Sequence, residues 1–300
     1  MWDVGDRLFA TTDRRFQVVR CPGCDLEFQA PPLSREEIAS FYPPGYWVGP
    51  PESDARAGGL SRATEAYRRL VLRDHVRFVR AVVERQQTAG TWRGLLDVGC
   101  GDGSFLDALG AHPAVGLDWS LDAVRAVRAR GFAAVRGGLE ATPFAAGAFS
   151  AVTMFHYLEH VSPAQPSLDA VRRLLSKDGR LVVQVPNADC WQRALLRSRW
   201  AGYDPPRHLI HYTTDTLRRT LEQNGFAVVR VTHASLRDNP TTLANSLAPT
   251  LYPPARAARG SDGWLGSLAY LGLVLASTPF AWLESACGRG AAVMMEAKPR

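Results

Sequence analysis

The chain has 300 residues, 46% of them hydrophobic and 21% charged, which suits about two globular domains and excludes a coiled coil, a collagen and a wholly disordered chain. Its formal net charge of +6 comes from 35 basic residues, nearly all arginine and scattered over the whole length, a pattern that argues against a nucleic-acid partner. Five cysteines at irregular spacing exclude a secreted disulfide framework, and no secretory signal follows Met1, so the expected compartment is the cytoplasm.

Residues 1–50 read as a small N-terminal module, loop-rich, with one Cys21-Pro22-Gly23-Cys24 knuckle and the aromatic run from Phe41 to Trp47. A closed zinc site needs four ligands, and the other three cysteines lie in contexts that cannot supply them, so no bound metal is expected. Residues 51–93 read as a linker, rich in Pro and Gly from Pro50 to Gly59, followed by an amphipathic helix. Tyr67, Leu70, Val71, Phe78 and Val82 keep a helical period, and Arg68, Arg69, Arg73, Arg77 and Arg80 form a solvated basic face.

After Thr91 short apolar runs alternate with helical stretches. Strands are expected at 95–98, 114–117, 133–135, 148–155, 180–185, 227–231 and 291–297, with helices near 104–109, 121–130, 164–175 and 214–224. Strand alternating with helix implies an α/β fold whose mostly parallel sheet is covered on both faces.

The strongest local signal runs Leu95-Leu96-Asp97-Val98-Gly99-Cys100-Gly101-Asp102-Gly103-Ser104. A buried strand meets three alternate glycines and then a helix, so backbone N–H groups can approach a bound anionic or nucleotide-like ligand. Gly103 follows Gly101 by two residues, whereas the nicotinamide fingerprint needs three. This segment resembles the first motif of class I S-adenosylmethionine-dependent methyltransferases, and the similarity extends from about Gly94 to Arg300. The resemblance implies a doubly wound, seven-stranded Rossmann-like sheet with S-adenosylmethionine as cofactor. Asp97, Gly99, Cys100, Gly101 and Gly103 would then form the cofactor loop. Asp118, ending the second strand 21 residues after Asp97, would accept the ribose hydroxyls beside Trp119.

Gly137-Gly138-Leu139-Glu140 resembles the family's adenine loop, with Leu139 and Glu140 as the contacts. Gly138 and Ser150 stand where an Asp is common in the family. Phe155-His156-Tyr157-Leu158-Glu159-His160-Val161 is similar to the segment after the fourth strand in the branch that includes the ubiquinone-biosynthesis O-methyltransferases. The resemblance puts Phe155 at the cofactor and His156 near the transferred methyl, with His160 in a packing role.

The loop from Trp200 to Thr213 concentrates ionisable and aromatic side chains where an α/β sheet binds substrate. His208 is the candidate general base, with Asp204 or Arg207 orienting it or meeting substrate charge. The expected reaction is methyl transfer to a hydroxyl of a small-molecule, glycan or lipid-linked acceptor. Transfer to carbon or nitrogen, a non-catalytic S-adenosylmethionine-binding partner protein, and a peripheral membrane module are the alternatives. Gly263 to Leu283 carries no charge and is long enough to cross a bilayer. Pro279 is expected to break its helix, and the strand at 291–297 must return to the sheet. It therefore reads as part of a helical insertion, at about 236–286, that forms a lid, touches the membrane surface or makes a homodimer.

Overall fold

The computed structural model describes residues 1–43, 59–261 and 263–300, apart from the side chains of residues 35 and 59–66. The expected linker at 51–58 and the aromatic residues Tyr46 and Trp47 lie outside the described residues. Near the start, β1 (Trp2–Gly5), β2 (Arg15–Arg20) and β3 (Glu27–Ala30) form an antiparallel meander. Alternation buries Phe16 and Val18 on one face beside Val4. Cys21 and Cys24 sit in the β2–β3 turn, Cys24 exposed. Ser34 then caps α1 (Arg35–Ser40) through a reciprocal box with Glu37. A fourth strand joins this sheet from far along the chain: Ile210–His211 (β9) pairs with β3, placing Phe28 opposite Ile210. The segment before residue 50 is thus completed by residues of the substrate loop.

The second sheet is built from β4 (Leu95–Val98), β5 (Ala114–Asp118), β6 (Ala133–Arg136), β7 (Phe149–Phe155), β8 (Leu175–Pro186), β10 (Phe226–Thr232) and β11 (Ala292–Pro299). Its order is β10-β11-β8-β7-β4-β5-β6, parallel throughout except that β11 runs against both neighbours. Every residue of β4 is buried and β7 is nearly so, as a central strand covered on two faces requires. On one face pack α2 (Gly59–Thr88), α3 (Ser104–Leu109) and α4 (Leu121–Ala129), and on the other α5 (Gln165–Leu174) and α7 (Thr214–Gln223). α2 meets the sheet through Leu72, His75, Phe78, Val79, Val82 and Val83, while Tyr67 and Leu70, expected on its apolar face, are exposed. Glu296 of β11 is buried and answered by Arg85, Arg180 and Arg230.

Between β10 and β11 stand α8 (Asp238–Leu247), α9 (Pro253–Ala258) and α10 (Trp264–Ala286). Pro279 does not break α10, contrary to the sequence expectation: the helix runs through it. The hydroxyls of Ser277 and Thr278 donate to the carbonyls of Leu273 and Val274, and the proline ring is on the exposed side. The insertion is stitched down at its ends. Asn239 donates to His233 O and Ser285 Oγ and accepts from the Ala292 amide, and Glu284, fully buried, accepts from the backbone and side chain of Gln192.

One buried guanidinium ties the N-terminal module to the loop before β9. Arg207 is completely buried and donates to both oxygens of Asp204 (3.0 and 2.6 Å), both of Asp6 (3.1 and 2.7 Å), and the Phe41 carbonyl at 3.2 Å. Phe9 stacks on its face. Burial alone would lower its pKa, but Asp204 and Asp6 hold it above the ordinary arginine value. Replacing Arg207 by Met leaves two buried carboxylates without a cation, so R207M should lose about 3–5 kcal/mol of unfolding free energy, read from urea denaturation. Unchanged stability would mean that the module is not clamped by this group.

Candidate functional site

The β4–α3 turn is shaped by Gly99, Gly101 and Gly103, all at positive φ (72°, 51° and 76°). A Cβ at Gly99 would meet the Tyr157 ring at 3.4 Å, and one at Gly103 would meet Val127 at 3.0 Å. Asp118 ties this turn to the end of β5: Oδ2 accepts from the Gly101 amide at 3.1 Å and Oδ1 from the Ser120 amide at 2.8 Å. Burial raises its pKa against those amide donors. Each carboxylate oxygen keeps a further lone pair.

An open cavity of about 330 Å³ lies against this turn, walled by Gly99, Asp118, Trp119, Gly137, Leu139 and Tyr157. Leu139 is fully buried at its base, while Trp119 stands at its mouth, 64% exposed. Four predicted cofactor residues, Gly99, Asp118, Trp119 and Leu139, are thereby brought together. Tyr157 joins them although the sequence reading passed it over; its place directly after the functional His156 was the available signal.

Other predicted residues stand off the cavity wall. Asp97 is buried behind the loop, accepts from Thr153 Oγ1 at 2.6 Å, and is pushed up to about 7 by burial, with Asp118 adding to the effect. Cys100 turns its sulfur toward Gly116, where a Cβ would lie only 2.7 Å away, and burial pushes its thiol up. Glu140 accepts from Ser167 Oγ at 2.8 Å and so faces α5. Phe155 packs edge-on between His75 and Phe105 in the core.

Beyond β7 a network of charge begins. His156 has φ +53° and lies between Glu159 Oε1 (3.0 Å from Nδ1) and Asp238 Oδ1 (3.3 Å from Nε2). Burial opposes its charge, yet Asp238 and Glu159 raise its pKa to about 9. Asp238 sits at the start of α8 and also faces His75, Gln184 and Arg237. Glu159 Oε2 is buried without a hydrogen-bond partner. His160 and His208 lie beside it, and the three offer ligand atoms within 4.8 Å of one another, a set that could hold a metal ion.

His208 does not wall the cavity. Its ring lies edge-on to His160, centroids 4.8 Å apart, and its Nδ1 is 2.9 Å from the Gly202 carbonyl. A carbonyl only accepts, so Nδ1 is the donor and Nε2 is the nitrogen left for another partner. Asp204 Oδ2 is 4.0 Å from that Nε2. Arg207 and Asp204, taken from the sequence as orienting or substrate-charge partners, bond each other, and Arg207 also bonds Asp6. His160 and His211 are held near 4 and 3 respectively, chiefly by burial and then by the proximity of His208.

S-adenosylmethionine fits this arrangement: a glycine cradle, a carboxylate with spare acceptor capacity on the wall, and an apolar base beneath an exposed indole. A family model described as a methyltransferase domain matches residues 65–231. Uncharacterized proteins of Mycobacterium tuberculosis and Mycobacterium bovis are each 33% identical over 135 residues, 45% of this chain and 47% of theirs. The chain spans about half the length of the curated relatives it matches. Among solved structures, it is similar to a SAM-dependent methyltransferase from Archaeoglobus fulgidus (18% identity, TM-score 0.46, 74% of this chain and 94% of that one). It is also similar to an S-adenosylmethionine-dependent methyltransferase from Mesorhizobium loti (18%, 0.44, 69% and 90%). The matched residues cover more than half of the chain, and they include the glycine turn, Asp118 and the segment after β7: the chain belongs to the methyltransferase-domain family.

Proposed function

We propose that this chain transfers a methyl group from S-adenosylmethionine to a hydroxyl of a small-molecule, glycan or lipid-linked acceptor. The observation that carries the reading is Asp118 on the wall of the glycine-lined cavity, each oxygen already fixed by one backbone amide and open to one more donor. Two spare acceptor positions on a fixed carboxylate suit the two ribose hydroxyls. Leu139 and Trp119 would take the adenine between them, and Gly99, Gly101 and Gly103 would let the backbone approach the amino-acid end. When bound, the cofactor supplies an electrophilic methyl carbon; the protein's work is to align the acceptor, exclude water and take a proton.

Two histidines are available, and their environments separate their roles. His156 is held protonated by Asp238 and Glu159, so it cannot accept a proton near neutral pH and serves as a fixed cation and donor. His208, with Nδ1 committed to the Gly202 carbonyl, has Nε2 left for a substrate proton and is the base in this reading.

Asp118→Ala should weaken S-adenosylmethionine binding at least tenfold by calorimetry, since charged acceptors contribute about 1.5–3 kcal/mol per bond. Preference for a nicotinamide dinucleotide would sink the cofactor assignment. His208→Ala should lower turnover about a hundredfold with cofactor affinity intact; an equal loss of affinity would remove it from the base role. For His156 the folded pKa lies above the unfolded value of roughly 6.5, so its stabilisation is complete below that pH and is lost as pH rises toward 9. Asp238→Asn should flatten that part of the stability curve and bring the His156 titration, followed by NMR, down toward neutrality. A wild-type titration midpoint at or below 6.5 would contradict the assignment.

A further inference from the structure

α10 is built inside out. Ser277, Glu284 and Ser285 face the protein, and Glu284 is fully buried. Its outer face is apolar apart from Ser267: Trp264, Leu265, Leu268, Leu275, Trp282 and Leu283 are between 50% and 72% exposed. A helix of a water-soluble surface has the opposite arrangement, and a contiguous apolar stripe of this length needs a covering partner. The two tryptophans mark its ends, 18 residues or roughly 27 Å apart along the axis. α6 (Trp191–Leu196) extends the stripe sideways: Trp191 contacts Phe280, and Leu195 is 68% exposed.

Arginines lie beside the stripe. Arg7 donates to the carbonyls of Arg199 (2.6 Å) and Ser246 (3.3 Å), which brings two guanidinium groups to one cavity bounded also by Ser198 and Asn245. Asn245 accepts from Tyr270 of α10 at 3.0 Å, so this cavity adjoins the helix. Asp204 also reaches the cavity wall, but Arg207 neutralises it. Among the described residues no carboxylate pairs with Arg7, Arg197, Arg199 or Arg259. We infer that α10 lies in the plane of an anionic membrane surface, its apolar face in the acyl boundary and Arg7 and Arg199 on lipid phosphates.

A second copy of the chain would cover the apolar face, whereas an anionic surface covers it and also meets Arg7 and Arg199. Crossing the bilayer is excluded by the packing: α10 lies along α8, its last turn is tied to Gln192 and Asn239, and β11 follows at once in the sheet.

The test uses the purified full chain in flotation against phosphatidylcholine vesicles and vesicles containing about one-third phosphatidylglycerol. The chain should float with the anionic vesicles, less as salt rises. Trp264→Ser/Leu268→Ser/Trp282→Ser should weaken partitioning at least tenfold, and Arg7→Ala/Arg199→Ala should remove the preference for phosphatidylglycerol. Both variants should keep the wild-type circular dichroism and cofactor affinity. Three results would each overturn the inference: no flotation by a folded, cofactor-binding chain; wild-type flotation by the triple serine variant; or a stable dimer in sedimentation that the serine substitutions dissociate. Extraction only by detergent, with α10 protected from both sides, would also refute the in-plane arrangement. The inference does not rest on which acceptor is methylated, and loss of turnover alone would leave it intact.

Discussion

The arrangement of the acceptor side depends on a permanent charge sealed inside the protein. Arginine cannot shed its proton, so burying Arg207 obliges the fold to bring carboxylates to it from wherever they lie in sequence. Asp204 is three residues away, while Asp6 is 201 residues away. Satisfying both forks of the guanidinium fixes the first turn of the chain, the Ala201–Tyr203 bend and the start of β9 relative to one another. β9 then pairs with β3, and the His208 backbone amide bonds to the Asp204 carbonyl. The N-terminal sheet is therefore the scaffold on which the shape of the loop from Trp200 to Thr213 depends, and not an appendage to the seven-stranded fold.

A second buried carboxylate connects that loop to the cofactor side. Glu159 gives one oxygen to His156 and turns the other toward His160 and His208, and its backbone carbonyl accepts from the Leu209 amide. Its pKa stays low although burial alone would raise it, because the nearby histidines, His156 first, favour the charged form. Three histidines within one region consequently differ in protonation for identifiable reasons. His156 has two acidic neighbours and keeps its proton. His160 and His211 are pushed down chiefly by burial and then by His208, which outweigh the nearby Glu159. Separating the titrations of neighbouring groups in this way allows one site to offer both a donor and an acceptor near neutral pH.

Local signals in the sequence carried the Rossmann-like half well. The glycine turn, β4 and α3 form where the residues expected them, because strand burial, positive φ and helix entry are all encoded within a dozen residues. The seven-stranded sheet likewise follows from alternating apolar runs. What could not be read locally is long-range. A two-residue strand such as β9 has no periodicity, and the partner of Arg207 cannot be chosen from 29 acidic residues by spacing. Glu140 and Phe155 match the family pattern in sequence, but Ser167 holds one and a cage of His75 and Phe105 holds the other. For α2, Tyr67 and Leu70 have the right period yet are exposed, since burial there begins only at Leu72. In α10 nearly every position is apolar, so composition reveals the helix but not which side faces out.

That last ambiguity matters because α8 touches both environments. Its first residue, Asp238, sets the charge of His156, and its last turns carry Asn245 and Ser246, which meet Tyr270 of α10 and Arg7 respectively. Asp238 is locked by His156, Gln184 and Ser235, so a displacement of α8 large enough to alter one end must break hydrogen bonds at the other. A rigid ten-residue helix, roughly 15 Å long, therefore links the outer apolar face to the charged cluster after β7. An acceptor that partitions into lipid would be presented at the end of the sheet where the glycine turn, Asp118 and His156 converge. A freely diffusing polar acceptor would gain nothing from this placement. On the membrane-surface arrangement proposed above, the inverted polarity of α10 thus bears on which acceptors reach the site.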